Sequence, residues 1–162
     1  MKQIKMADVD AVYSVIEETV KSGNDIKIKI SGFSMYPLVS SRRDSVLLTK
    51  AENIKKGDVP FFKRDDGSYV LHRIVGIKNG AYKVRGDYEQ KIEYPVYPEQ
   101  VIAVAKGFYR NEKYIACDSF LYKLYSFFWM RSVAIRPIML KILAIRSSLK
   151  DKRKSKNENN RD

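Results

Sequence analysis

Asn79-Gly80 is the feature that most restricts what this chain can fold into. It separates Tyr69-Val70-Leu71-His72-Arg73-Ile74-Val75-Gly76-Ile77-Lys78 from Ala81-Tyr82-Lys83-Val84-Arg85, two runs rich in β-branched and aromatic residues. A type I′ turn needs φ > 0 at both central residues, and Asn-Gly meets that need, so the two runs read as one antiparallel hairpin. With a two-residue loop, Lys78 faces Ala81 and His72 falls opposite Asp87. Directly paired side chains have Cβ atoms roughly 4.5–5.5 Å apart, close enough for a carboxylate to hold an imidazole. A β-bulge near Gly76 or Gly86 would slip this register by one residue.

The surrounding pattern predicts a mainly β, antiparallel domain with an N-terminal helix and a C-terminal helical appendage. Val9, Val12, Tyr13, Ile16 and Val20 form one apolar stripe, which predicts a helix over 8–21 with Asp8 as N-cap and Gly23 or Asn24 as its end. Asp25-Ile26-Lys27-Ile28-Lys29-Ile30 alternates strictly, and further strands are expected over 45–49, 59–63, 69–78 and 100–106. Asp65-Asp66-Gly67-Ser68 supplies turn chemistry for a second hairpin. The resulting organisation is a helix in 1–24, a β domain in 25–110, a helical segment in 111–150 and a disordered basic tail in 151–162.

Charge sharpens the last part of this division. The net charge is +12. Residues 1–109 hold 18 Lys/Arg and 14 Asp/Glu, whereas 110–162 hold 13 and 5. A basic end favours an anionic partner, either a membrane surface or a nucleic acid, or is simply solvated. Phe120, Leu121, Leu124, Tyr125, Phe128 and Trp129 predict a helix capped by Asp118 or Ser119, and Pro137 opens a second one. Cations recur about every five residues there, which suits an amphipathic hairpin in a membrane interface over 118–150. The alternative is a helical layer covering one face of the β domain.

No apolar leader follows the first lysines, since Ala7-Asp8-Val9-Asp10 is acidic, and no run approaches the roughly 18 apolar residues of a membrane span. The expectation is a cytoplasmic protein, peripheral on the inner membrane face. Cys117 is the single cysteine, so no internal disulfide forms. One histidine and one cysteine far apart make no zinc cluster, and no phosphate-binding loop is present, so neither a metal nor a cofactor is expected.

Three residues carry candidate chemistry. Ser34 follows the first strand in a loop opened by Gly32 and stiffened by Pro37; by itself it is a turn serine. His72, the lone histidine, alternates with Val70 and Ile74, a pattern that equally fits a hydrogen-bonded core histidine. Asp87 follows Gly86 as a turn aspartate would. Together they supply the nucleophile, general base and orienting acid of a serine hydrolase.

Gly32-x-Ser34-Met35-x-Pro37, Gly57-Asp58-Val59, His72-Arg73-Ile74-Val75 and Gly86-Asp87, in this order and spacing, resemble the conserved blocks of type I signal peptidases. The likeness is greatest to the branch in which histidine replaces the general-base lysine. Arg43-Asp44-Ser45-Val46-Leu47 and Tyr69-Val70-Leu71-His72 are similar to small, soluble bacterial signal-peptidase-like proteins. The resemblance covers residues 26–110 and implies the fold shared with self-cleaving phage and SOS repressors. It implies Ser34 as nucleophile, His72 as general base and Asp87 as orienting acid. Gly32, Phe33 and Met35 would line the oxyanion and substrate site, with Pro37, Asp58 and Arg73 as structural support. The implied function is a serine endopeptidase that cuts a leader or signal-like peptide bound in extended form by strand addition. The rivals are a peptide-binding module of the same fold without turnover, and a repressor-like nucleic-acid regulator. No DNA-reading helical motif precedes the β domain, so specific nucleic-acid binding is not expected.

Overall fold

The computed structural model describes residues 6–40, 43–131, 138 and 141. The chain opens with α1 (Met6–Lys21), which reaches back past the expected Asp8 cap because Met6 and Ala7 favour helix. Gly23, at φ 85°, closes it in a Schellman pattern: Asn24 N–H donates to the Thr19 carbonyl at 3.1 Å and Gly23 N–H to that of Val20 at 3.1 Å. Ile16 and Val20 are buried, whereas Val12 of the expected stripe turns outward.

The strands among the described residues are β1 (Ile26–Lys29), β2 (Ser45–Thr49), β3 (Pro60–Lys63), β4 (Tyr69–Leu71), β5 (Arg73–Lys78), β6 (Ala81–Arg85), β7 (Glu93–Val96), β8 (Val101–Arg110) and β9 (Lys113–Ala116). A helix, α2 (Phe120–Arg131), follows. One antiparallel sheet runs β1-β2-β8-β3-β4, with β9 also pairing β8; a second runs β5-β6-β7. The protein is therefore mainly β with a helix at each end of the described chain. No described helix is long and apolar enough to cross a membrane.

The strand expected over 69–78 is interrupted at His72. Residues before it pair with β3 in the larger sheet and residues after it with β6 in the smaller one. His72 N–H still reaches the Pro60 carbonyl at 3.3 Å, and Ile74 N–H then turns to that of Asp58 at 2.8 Å. His72 thus sits where one strand changes sheets. The Asn79-Gly80 turn forms as expected, with φ of 51° and 75°. Lys78 pairs with Ala81, Ile77 with Tyr82 and Gly76 with Lys83; Val75 then bulges, and Ile74 pairs with Val84 and Arg73 with Arg85. The slip overturns the expected pairing of His72 with Asp87.

The sheet also continues past the expected boundary at Arg110. Asn111 and Glu112, both at positive φ, turn β8 into β9. The compact unit that holds the sheets ends at Phe127, within α2. The second helix expected from Pro137 lies outside the described residues apart from Ile138 and Lys141, and the tail 151–162 lies wholly outside them.

Adjacent β3 residues feed two cores. Phe61 packs with Ile16, Met35, Leu38, Val46 and Phe108 of the larger cluster, and Phe62 with Ile74, Tyr82, Val84 and Val96 of the smaller one. The loop after β1 is tied down at its far end by Asp44, which is fully buried. Its carboxylate accepts from Ser40 N–H at 2.8 Å, Arg43 Nε at 3.1 Å and Asn111 N–H at 3.3 Å. Burial alone would raise its pKa, but the bonds from Arg43, Ser40 and Asn111 hold it below the ordinary value. Removing this buried acceptor takes the partner from the Ser40 and Asn111 N–H groups and from Arg43, so Asp44→Ala is expected to lower the unfolding free energy by about 1–3 kcal/mol in urea titration. A loss under about 1 kcal/mol would show that the loop does not depend on it.

Candidate active site

Ser34 is placed by a short loop that dips into the larger core. Gly32, at φ 87°, turns the chain out of β1, and Tyr36 N–H closes a turn on the Phe33 carbonyl at 3.0 Å. Met35, Leu38 and Val39 are buried and anchor the loop from below. Phe33 points the other way and is largely exposed. Ser34, between an outward and an inward residue, is half-buried.

The turn after β6 holds this loop from the other side. Tyr88 N–H donates to the Ser34 carbonyl at 2.8 Å, and Glu89 N–H to that of Gly86 at 3.1 Å. A Cβ built on Gly86 would lie 2.6 Å from the Ser34 carbonyl oxygen. Only glycine lets the two backbones approach this closely.

Ser34, Met35 and His72 line one cleft of about 220 Å³, together with Ile30, Ser31, Arg64, Tyr69, Val70, Leu71 and Glu89. The cleft therefore joins the nucleophile and base candidates, although they are 38 residues apart in sequence. His72 is 2 % exposed. Its Nε2 lies 3.6 Å from Glu89 Oε1, which makes it the cleft-side nitrogen; Nδ1 lies 3.7 Å from Glu93 Oε2 and makes no hydrogen bond. Glu93 is in turn fixed by a bidentate pair from Arg64, Nε to Oε1 and Nη2 to Oε2, both at 2.7 Å.

Burial pushes the imidazole pKa below its ordinary value, and the Arg64 guanidinium acts in the same direction. The Glu89, Glu93 and Asp87 carboxylates offset part of this. The imidazole is therefore neutral at neutral pH, the form a general base needs. Because the folded value lies below the unfolded one, the fold gains from the neutral ring above about pH 6.5 and loses that gain as pH falls through the folded value.

Asp87 is committed elsewhere. Arg73 donates to it through Nε at 2.9 Å and Nη2 at 2.7 Å, and Tyr125 Oη donates at 3.1 Å. Arg73 Nη1 further reaches the Gly57 carbonyl at 3.0 Å, Tyr122 Oη at 3.0 Å and Ser126 Oγ at 2.6 Å. Burial opposes the Arg73 charge, and the Asp87 carboxylate holds it protonated, well above the ordinary value. Asp58 caps the turn before β3 by accepting from Lys55 N–H at 2.8 Å. Asp87, Arg73 and Asp58 thus brace the site, and the acids that face the imidazole are Glu89 and Glu93. Neither was singled out in the sequence. Glu93 lies six residues past Asp87 in β7, a strand that Pro95 obscures.

Among the described residues no group of three His, Cys, Asp or Glu side chains is placed to hold a metal ion.

The ion pair gives a test by a double-mutant cycle. Arg73→Met alone leaves the Asp87 charge buried and is expected to cost about 3–5 kcal/mol of stability, and Arg73→Met with Asp87→Leu distinctly less than the two single losses added. Additive losses would contradict the pairing. No protein-family model matches this chain, and no curated protein matches it.

Proposed function

We propose that the protein is a serine endopeptidase of the signal-peptidase-like type, with Ser34 as nucleophile and His72 as general base. The observation that carries this reading is the shared cleft, in which a half-buried serine and a buried, neutral imidazole stand beside the open edge of a sheet. β4 ends the larger sheet, and Ile30 and Ser31, just beyond the opposite edge strand β1, line the same cleft. An extended peptide laid there gains main-chain hydrogen bonds from strand edges and presents its carbonyl carbon to Ser34.

In this mechanism Ser34 Oγ bonds to the scissile carbonyl carbon as His72 Nε2 takes the hydroxyl proton. The proton passes to the leaving amine as the C–N bond breaks, and water then hydrolyses the acyl-serine with the same base. The Ser34 N–H, in a loop opened by Gly32, helps to stabilise the oxyanion. Glu93, fixed by Arg64, takes the orienting role that the sequence pattern gives to Asp87. Its 3.7 Å separation from Nδ1 is longer than a hydrogen bond, and catalytic hydrogen bonds commonly tighten only when substrate binds. That same separation favours a second reading, a peptide-binding module without turnover.

Incubation with a serine-reactive phosphonate separates the two. The expected result is one covalent adduct on Ser34, absent in Ser34→Ala and slowed by about 10²–10⁴-fold in His72→Ala. The labelling rate should fall as pH drops, with its midpoint below about 6.5. A wild type that resists labelling, with a folded state confirmed by circular dichroism, would sink the peptidase reading in favour of the binding module.

A further inference from the structure

Helix α2 has two unlike faces. Tyr122, Tyr125 and Ser126 turn inward to the Arg73–Asp87 pair. Phe120 and Leu121, each 75 % exposed, and Leu124, 41 % exposed, turn outward. Positions i, i+1 and i+4 lie on one side of a helix, so these three side chains form an exposed apolar stripe.

The chain that carries the stripe has an unusual charge. Residues 119–150 hold Lys123, Arg131, Arg136, Lys141, Arg146 and Lys150, and all 19 acidic residues of the protein lie outside this stretch. Apolar side chains joined to cations with no anion among them match an anionic lipid surface, where the apolar stripe enters the acyl boundary and the cations meet headgroups. A second copy of the chain fits poorly, since it would bring the same acid-free, cationic stretch of sequence against itself.

We propose that the outer face of α2, with the acid-free chain that continues from it, docks onto an anionic bilayer surface. The inner face stays on the Arg73–Asp87 pair, so docking leaves the brace of the cleft in place. The inference is independent of the peptidase reading.

Co-sedimentation of the full chain with vesicles tests it. Vesicles of phosphatidylcholine with roughly one-third phosphatidylglycerol should bind the wild type at least about tenfold better than phosphatidylcholine alone. Phe120→Ser/Leu121→Ser/Leu124→Ser should lose at least about tenfold of that binding while melting close to the wild type, because the three side chains are exposed. Leu121→Asp, which puts an anion into the stripe, should weaken binding in the same direction, and it keeps the test decisive if the triple variant does not fold. Lys152→Ser/Arg153→Ser/Lys154→Ser in the terminal tail should keep most of the binding. The proposal is overturned by wild-type protein that stays in the supernatant, by stripe variants that bind as well as wild type, or by a dimer that dissociates when the stripe is changed.

Discussion

Arg73 and Asp87 form a buried ion pair on which both sides of the cleft depend. Each is flanked by a residue of the site: His72 precedes Arg73, and Gly86, against whose Cα the Ser34 carbonyl packs, precedes Asp87. Fixing the pair therefore fixes His72 and the floor under Ser34 together. Two charges taken out of water are costly unless their geometry is good and their remaining hydrogen-bonding capacity is used. Here Gly57, Tyr122, Ser126 and Tyr125 use it, and three of those four come from α2. The helix belongs to the site's support although it lies more than 30 residues from either partner in sequence.

The second constraint is the poise of the lone imidazole. Burial favours its neutral form, and three carboxylates counter that only in part because Arg64 draws on Glu93 and repels a proton on the ring. One carboxylate lies toward each nitrogen, Glu89 on the cleft side and Glu93 on the buried side. A ring that gains a proton during reaction would find both anions close by, while at rest desolvation keeps it able to accept one.

Much of this architecture is legible in the sequence, and the failures have local causes. Alternation marks β1, short apolar runs mark β2, β3 and the start of β8, and Asn79-Gly80 marks the hairpin turn, because those signals are contained within a few residues. The register failed at one point. Val75 bulges, which moves Asp87 away from His72 and opposite to expectation gives it to Arg73. The interruption at His72 was hidden because a strand that changes sheets keeps the composition of a continuous one. Ser34 and His72 could be paired from block order, whereas Glu93 could not: its partner Arg64 is 29 residues away, and its strand contains Pro95. For the C-terminal helix the sequence pattern fits both a membrane-interface hairpin and a layer on the β domain. Tyr122, Tyr125 and Ser126 of α2 turn to the Arg73–Asp87 pair, and Phe120, Leu121 and Leu124 are exposed on the other side.

If His72 is the base that activates Ser34, the imidazole and the reactivity of the serine must titrate together. One histidine in the chain makes its imidazole resonances unambiguous, so its pKa can be followed by nuclear magnetic resonance in the unmodified protein. That value can be set beside the pH dependence of covalent labelling at Ser34. The two midpoints are expected to coincide, both below about 6.5. Midpoints separated by more than about one pH unit would contradict that role for His72, because some other group would then control the reactivity of the serine.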